Sequence, residues 1–319
     1  MNDSSAAAAA YTPRRIARSR FVEVRGLAYH LLAWGQTSAV TATRPPLVMM
    51  HGWMDVAASF QFVVDAFAAQ GDGEASGERY IVAADWRGFG LSATPPASDS
   101  YWFPDYLGDL DALLDHVSPD APVDLLGHSM GGNVAMLYAG VRPARVRRLI
   151  NLEGFGQPES SPAQAPKRFA QWLDELKTPQ DLRRYASLDA VAARLRKTNP
   201  LLSRERADWL AAHWSCRGDD GQWQILGDPA HKRVNPVLYR KDEVLECWRR
   251  ITAPTLWVEG DRSDIGLWWG ERYTKAHFHE RLAVVAKVEK HVLAPAGHML
   301  HHDQPEALAR VLRAFLDAA

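Results

Sequence analysis

The sequence predicts an α/β fold in which buried strands alternate with helices around a parallel sheet. Short apolar runs that end at glycine, such as 45–52, are typical of strands buried on both faces. The segment 58–70 follows one such run and the segment 106–117 precedes another. The apolar residues of both segments have helical spacing. Strands that alternate with helices favour right-handed crossovers and parallel pairing, and this pattern is the basis of the prediction.

The elements can be followed in order from Phe21. The stretches 21–26 and 27–34 indicate an opening hairpin with Gly26 near its turn. After the strand at 45–52, the patterns predict further strands and helices as follows: helix 58–70, strand 79–90, helix 106–117, strand 122–129, helix 130–141 and strand 146–154.

The alternation stops after residue 154. Residues 155–250 contain several helical candidates separated by loops with proline or glycine. The strand pattern returns at 253–261 and again at 290–300, and an amphipathic helix that begins at Pro305 closes the chain. We therefore predict a core of 21–154 and 251–319, interrupted by a helical cap of 155–250.

The composition limits the class of protein. A chain of 319 residues with 47% hydrophobic residues and a net charge of −1 suits a soluble globular protein, and gives no electrostatic reason to expect nucleic acid as a partner. No apolar run approaches the roughly 20 residues that cross a bilayer, so no membrane partner is predicted. Cys216 and Cys247 form neither a metal motif nor a disulfide framework, which favours the cytoplasm. Residues 1–20, an alanine run followed by arginines, are predicted to be a disordered tail.

Ser129 is the predicted nucleophile. It stands in the stretch GHSMG, between Gly127 and Gly131, where a buried strand gives way to a helix. Such a sharp turn lifts the serine side chain clear of the sheet and leaves no room for bulk at the flanking positions. The helix N-terminus favours a developing negative charge at the same place.

A serine hydroxyl needs a base, which in this arrangement follows later in the chain. His298 follows Gly297 between the last strand and the final helix, and is the predicted base. His301 and His302 are close to it in sequence, but we expect them to line or cap the start of the helix instead.

The acid that orients the base has three candidates. Asp261 and Asp264 lie in the loop after the strand at 253–261, and Glu153 ends the strand at 146–154. Asp264 is preferred, because it lies farther into the loop and reaches back more easily toward His298. Asp261 and Glu153 stay open as alternatives.

The oxyanion is expected to bind two backbone N–H groups, those of Trp53 and Met130. Gly52 allows a close approach of the backbone, and His51 is expected to fix this loop by hydrogen bonds. No cofactor is predicted, since 85–90 carries only half of a dinucleotide-binding signature. No metal is predicted either, because the paired histidines at 277–279 and 301–302 lack a supporting cluster of carboxylates or cysteines.

Five stretches together resemble the α/β-hydrolase superfamily, in order and over nearly all of the chain from residue 21: HGWMDVAASF, DWRGFGLS, GHSMGG, PTLWVEGDRSD and AGHMLHHDQPE. The first is similar in particular to the serine hydrolase-like branch. The resemblance implies a mostly parallel eight-stranded sheet flanked by helices, with a helical cap over the strand C-termini. It matches Ser129 to the nucleophile and His298 to the base. At the spacing of the usual acid the chain has Ser263, with Asp264 one residue later.

The predicted function is that of a cofactor-free serine hydrolase. A serine nucleophile separates the chain from relatives that need a carboxylate there, the haloalkane dehalogenases and epoxide hydrolases, and it forms an acyl-enzyme with an ester, thioester or lactone. The expected partner is a small molecule with an acyl group, and five tryptophans of 155–250 are candidates for the wall of its pocket. A carbon–carbon bond hydrolase and a ligand-binding module of the same fold remain alternatives.

Overall fold

The computed structural model of the protein describes residues 10–69 and 79–318. Its strands, in chain order, are β1 (Arg18–Val24), β2 (Leu27–Trp34), β3 (Leu47–Met50), β4 (Ile81–Ala84), β5 (Val123–His128), β6 (Val146–Leu152), β7 (Arg184–Tyr185), β8 (Ser215–Arg217), β9 (Trp223–Ile225), β10 (Thr255–Gly260) and β11 (Val288–Leu293).

The helices are α1 (Gln61–Ala69), α2 (Phe103–Val117), α3 (Met130–Val141), α4 (Ala165–Leu176), α5 (Leu188–Thr198), α6 (Arg204–Trp214), α7 (Lys241–Arg249), α8 (Gly266–Trp269), α9 (Lys275–Leu282), α10 (Leu300–Asp303) and α11 (Pro305–Asp317). In the described part of the chain, no helix combines the length and the apolar character that a membrane span requires.

The centre of the fold is an eight-stranded sheet with the order β1-β2-β4-β3-β5-β6-β10-β11. Only β2 runs against its neighbours, and from β4 to β11 every pair is parallel. The predicted fold class, a mostly parallel eight-stranded sheet flanked by helices, is confirmed. The opening hairpin turns through Arg25 and Gly26, whose φ angles of 50° and 76° are those of a two-residue turn that matches the twist of its strands.

Both faces of the sheet are covered by helices. Buried side chains of α2, α3, α7 and α9 pack on one face, and those of α1 and α11 pack on the other. The short strand β3 shows how one run serves two cores: Val48 and Met50 face the first cluster, whereas Leu47 and Met49 face the second. This is the reason that its sequence is apolar at every position.

The insertion between β6 and β10 is more than helical. It contains α4, α5 and α6, and also a three-stranded antiparallel sheet of the order β7-β9-β8. These three strands could not be predicted, because a strand of two or three residues is too short to show an alternation of apolar and polar side chains. Helix α7, which the prediction put in the cap, lies against α3 in the core, where Gly140 faces the backbone of Cys247 without room for a side chain.

The predicted N-terminal tail is partly wrong. Residues 1–9 lie outside the described residues, but Tyr11 donates its hydroxyl proton to Asp65 of α1 at 2.5 Å. The N–H of Arg15 donates to the same carboxylate at 2.8 Å, and β1 already begins at Arg18. The segment is ordered because a carboxylate distant in sequence gathers its donors, and local composition carries no sign of that.

Candidate active site

Ser129 occupies a tight bend between β5 and α3. Its φ of 52° and ψ of −115° lie in a region that residues with side chains rarely adopt. The bend is held by the Ser129 N–H, which donates to the carbonyl of Leu152 at 2.8 Å. A Cβ at Gly127 would overlap the backbone of Gly131, and a Cβ at Gly131 would overlap that of Met50. The two glycines are therefore a steric requirement of the bend.

The structure brings His298 to this serine. The Nε2 atom of His298 lies 3.0 Å from the Oγ atom of Ser129, although the two residues are 169 positions apart. The edge of the Trp268 ring packs against the imidazole, with the ring centroids 4.6 Å apart. Burial lowers the pKa of His298 to about 4, so the imidazole is neutral at pH 7 and able to accept a proton.

The carboxylate beside His298 is Glu153. Its Oε2 atom lies 3.1 Å from Nδ1 of His298. Glu153 directly follows β6, is 1% exposed and has a φ of 58°. Its Oε1 atom accepts the N–H of Gly260 at 2.7 Å, and its Oε2 atom also accepts the hydroxyl of Ser263. Ser129, His298 and Glu153 thus form one hydrogen-bonded triad.

The preference for Asp264 is corrected by this geometry. Asp264 is exposed, and its Oδ1 atom accepts the N–H of Gly266 at 2.8 Å. Asp261 accepts the N–H of Ala296 instead, also at 2.8 Å. The loop after β10 therefore contributes no carboxylate to His298. Its Ser263 hydroxyl, together with the N–H of Gly260 at the end of β10, holds Glu153 in place.

One sequence signal pointed to Glu153. Ser263 stands at the spacing at which the resemblance to the α/β-hydrolase superfamily implies the acid, and a hydroxyl there leaves the orienting carboxylate to another strand end. Strand β6 is the neighbour of β10, with Leu152 paired to Val258. The end of β6 therefore lies beside the loop after β10, and this brings Glu153 to the same place.

Two opposing effects act on Glu153. Burial raises the pKa of Glu153 to about 7, even though the Ser263 hydroxyl and the Gly260 N–H act to lower it. Because these two donors already favour the ionised carboxylate, Glu153 is suited to stabilise a positive charge that develops on His298.

The expected oxyanion donors lie next to the serine. Met130 is the first residue of α3, and Trp53 follows Gly52 in the loop after β3. A Cβ on Gly52 would lie 3.1 Å from Cβ of Ser129, so this loop touches the bend. Within residues 10–69 and 79–318, the N–H groups of Trp53 and Met130 have no hydrogen-bond acceptor. Both are free to bind an oxyanion.

Histidines around the triad fix the loops. His51 accepts the N–H of Trp86 at 3.0 Å and donates from Nδ1 to the carbonyl of Gly52 at 2.7 Å, which holds the loop before Trp53. The Nε2 atom of His128 donates to the carbonyl of His298 at 2.8 Å and ties the bend to the histidine loop. This role of His128 could not be predicted from the sequence, because it depends on a contact across 170 residues.

The other two histidines of the loop that carries His298 approach Ser59 and not the nucleophile Ser129. His301 and His302 are buried, and both approach the hydroxyl of Ser59, at 3.1 Å and 2.5 Å from their Nε2 atoms. In the residues that the structure describes, Asp55, His128 and His301 form a buried group that could hold a metal ion, with their ligand atoms within 4.8 Å of one another. Burial lowers the pKa of His128 and of His301. It raises the pKa of Asp55 to about 7, so a metal ion would compete with a proton for Asp55.

A cavity of about 1090 Å³ lies over the triad, with Ser129 and His298 in its wall. The cap provides much of its apolar surface, with Leu202, Leu210 and Trp214 among the contributors. Of the five tryptophans considered for this wall, only Trp214 lines the cavity within the described ranges. The others serve packing; Trp248, for example, is 2% exposed and lies in the core.

Comparison with known proteins supports the fold and places the chain among hydrolases. A family model described as the alpha/beta hydrolase fold matches residues 45–305. A serine hydrolase-like protein of Danio rerio is 24% identical over 288 residues, which cover 85% of this chain and 81% of the relative. An esterase of Escherichia coli (strain K12) is 24% identical over 250 residues, 74% of this chain and 82% of the relative. The thioesterase domain of the curacin biosynthetic pathway is 25% identical, has a TM-score of 0.76, and covers 93% of this chain and 99% of that domain.

Proposed function

The chain belongs to the α/β hydrolase fold family, and on that premise we propose that it is a serine hydrolase that cleaves a small carboxylic ester or thioester through an acyl-enzyme on Ser129. The observation that carries the proposal is the triad: 3.0 Å from Ser129 Oγ to His298 Nε2, and 3.1 Å from His298 Nδ1 to Glu153. These are the contacts that an activated nucleophile and its oriented base require.

The proposed reaction begins with attack of Ser129 Oγ on the acyl carbon, while Nε2 of His298 takes the hydroxyl proton. The carbonyl oxygen becomes an oxyanion and accepts hydrogen bonds from the N–H groups of Trp53 and Met130. Nδ1–H of the imidazolium donates to Glu153, which stabilises the new positive charge.

His298 then gives its proton to the leaving alcohol or thiol, and the acyl group remains on Ser129. Water attacks this acyl-enzyme with His298 again as the base, and the carboxylic acid leaves with Ser129 restored. The similar proteins include an esterase and a thioesterase domain, and their names are consistent with this chemistry. A carbon–carbon bond hydrolase would use the same residues with a different pocket, and a binding module would need none of them.

A fluorophosphonate probe tests the nucleophile. We expect the wild type to be labelled, Ser129→Ala to remain unlabelled, and Ser38→Ala, an exposed serine outside the cavity, to be labelled at the wild-type rate. A silent wild type would favour the binding module and contradict the proposal. Rates measured on a series of p-nitrophenyl esters and on a ring-cleavage dienone separate ester hydrolysis from carbon–carbon bond hydrolysis. If only the dienone is turned over, the protein is a carbon–carbon bond hydrolase and not an esterase.

A further inference from the structure

The cavity over the triad is lined by an unusual set of basic side chains: Arg183, Arg194, Lys197, Lys232 and Arg262. Among the residues that the structure describes, none of the five has a carboxylate within the 4.0 Å of an ion pair. Four of them come from the cap. Arg262 comes from the loop after β10, next to the Ser263 that holds Glu153.

Basic residues of the cap that do have carboxylate partners lie elsewhere. Arg184 pairs with Asp220 at 2.7 Å, and Arg206 pairs with Glu306 at 3.0 Å. Neither lines the cavity. These two arginines are thus neutralised away from the cavity, whereas the five basic residues of its lining have no ion-pair partner within the described ranges.

The carboxylates of the same cavity do not cancel this charge. Asp55 is buried, and burial raises its pKa to about 7, so that its charge is reduced. Burial also raises the pKa of Asp303, whose Oδ2 atom accepts the N–H of Gly297 at 2.8 Å. Asp264 is the exposed carboxylate of the lining. Five cations therefore face three carboxylates, two of which burial shifts toward the neutral form.

Apolar surface makes up much of the remaining lining, beside polar side chains such as Thr198 and Asn199. It includes Leu202, Leu210, Trp214, Ile225 and Trp268. A cavity of about 1090 Å³ is larger than a short neutral ester fills, and its combination of an apolar wall with unpaired cations suits an amphiphilic molecule.

We propose that this cavity selects acyl donors that carry a negative charge, with the acyl chain on the apolar wall and a carboxylate or phosphate on the unpaired arginines and lysines. The inference rests on the proposed function, since it needs Ser129 as the nucleophile. It adds the charge class of the substrate. The anionic group can belong to the acyl part, as in a dicarboxylic monoester, or to the leaving group, as in a thioester of a phosphorylated thiol.

The test uses two matched pairs of donors. The p-nitrophenyl monoester of succinic acid and p-nitrophenyl butyrate share a leaving group and a four-carbon acyl chain, and differ in one carboxylate. Butyryl-coenzyme A and butyrylthiocholine are thioesters of the same acid, with an anionic and a cationic leaving group. For each pair we measure the ratio of kcat/KM for the first donor to that for the second.

We expect at least one ratio to exceed one, to fall as salt is raised, and to drop by about fivefold in Arg194→Gln or Arg262→Gln, as the loss of one partly exposed ion pair allows. Arg184→Gln, outside the cavity, is expected to leave the ratio unchanged. The pair that responds identifies which part of the donor carries the charge. Thermal unfolding of each variant checks that the fold is intact.

The inference is overturned if p-nitrophenyl butyrate is hydrolysed but neither ratio changes with salt or with the two variants. In that case the proposed function stands, and only the inference that the substrate is an anionic acyl donor is refuted. If no donor is hydrolysed and the fluorophosphonate probe does not label Ser129, the proposed function fails and the inference fails with it.

Discussion

Substitution of Glu153 by glutamine keeps the size of the side chain and removes the negative charge from the triad. In the wild type, Oε1 of Glu153 accepts the N–H of Gly260, and Oε2 accepts from Ser263 and His298. Glutamine has only one oxygen, so it cannot reproduce both sets of contacts.

Each orientation of the glutamine amide has a cost. With its oxygen on the Gly260 N–H, the NH2 group faces Nδ1 of His298 and can only donate to it. The imidazole proton then moves to Nε2, and that atom can no longer accept the proton of Ser129. With the amide reversed, two N–H donors meet at Gly260, and an unsatisfied buried donor costs about 1–3 kcal/mol. Because a misplaced tautomer disables the base, we expect kcat to fall by a factor on the order of 10³ to 10⁴.

The assay is hydrolysis of a p-nitrophenyl ester, with kcat measured beside the rate of fluorophosphonate labelling and the Tm of each variant. Asp264→Asn is the matched control, because asparagine keeps the oxygen that accepts the Gly266 N–H, and we expect it to retain kcat within about threefold. If Asp264→Asn removes activity while Glu153→Gln keeps most of it, the assignment of the triad acid is refuted.

Three further predictions concern the protonation of the site and of the core. Ser263→Ala removes the hydroxyl that Glu153 accepts, so we expect the pKa of Glu153 to rise and kcat to fall by about tenfold, and an unchanged kcat would contradict this positioning role. Activity requires neutral His298, whose pKa burial lowers to about 4; the loss of kcat/KM that comes from protonation of the imidazole should therefore have its midpoint near pH 4, and a midpoint at 6.5, that of an unshifted imidazole, would be inconsistent with it. Burial also lowers the pKa of a larger set of histidines, namely His51, His128, His231, His298, His301 and His302. Below pH 6.5 the unfolded chain binds protons at these sites and the folded chain does not, so stability is lost as pH falls; carboxyls with raised pKa, such as Asp55 and Glu153, offset part of the loss. Denaturant titrations should show the free energy of unfolding decreasing between pH 6 and pH 5, and a flat profile there would contradict the buried, neutral histidines.

Features that depend on neighbours in sequence could be predicted. Apolar runs that end at glycine identified the parallel strands, because a strand covered on both faces has no polar position. The bend at Ser129 could be recognised because its steric demand falls on Gly127 and Gly131, two residues away on either side. His298 followed from its place between the last strand and the final helix.

Features that depend on contacts between distant segments of the chain could not be predicted. The segment around Tyr11 is held by Asp65, and α7 belongs to the core because it packs on α3. Both contacts join parts of the chain that no periodicity connects.

The sequence by itself determined the class of fold, the nucleophile bend and the candidate base, because backbone sterics and hydrophobic periodicity act over a few residues. Only the tertiary structure decided which carboxylate meets His298. That choice depends on β6 lying beside β10, which brings Glu153 to the Gly260 N–H and the Ser263 hydroxyl, while Asp264 turns to the backbone of its own loop. A carboxylate is held where its hydrogen-bond donors converge, and those donors come from β10 and the loop after it, more than 100 residues away.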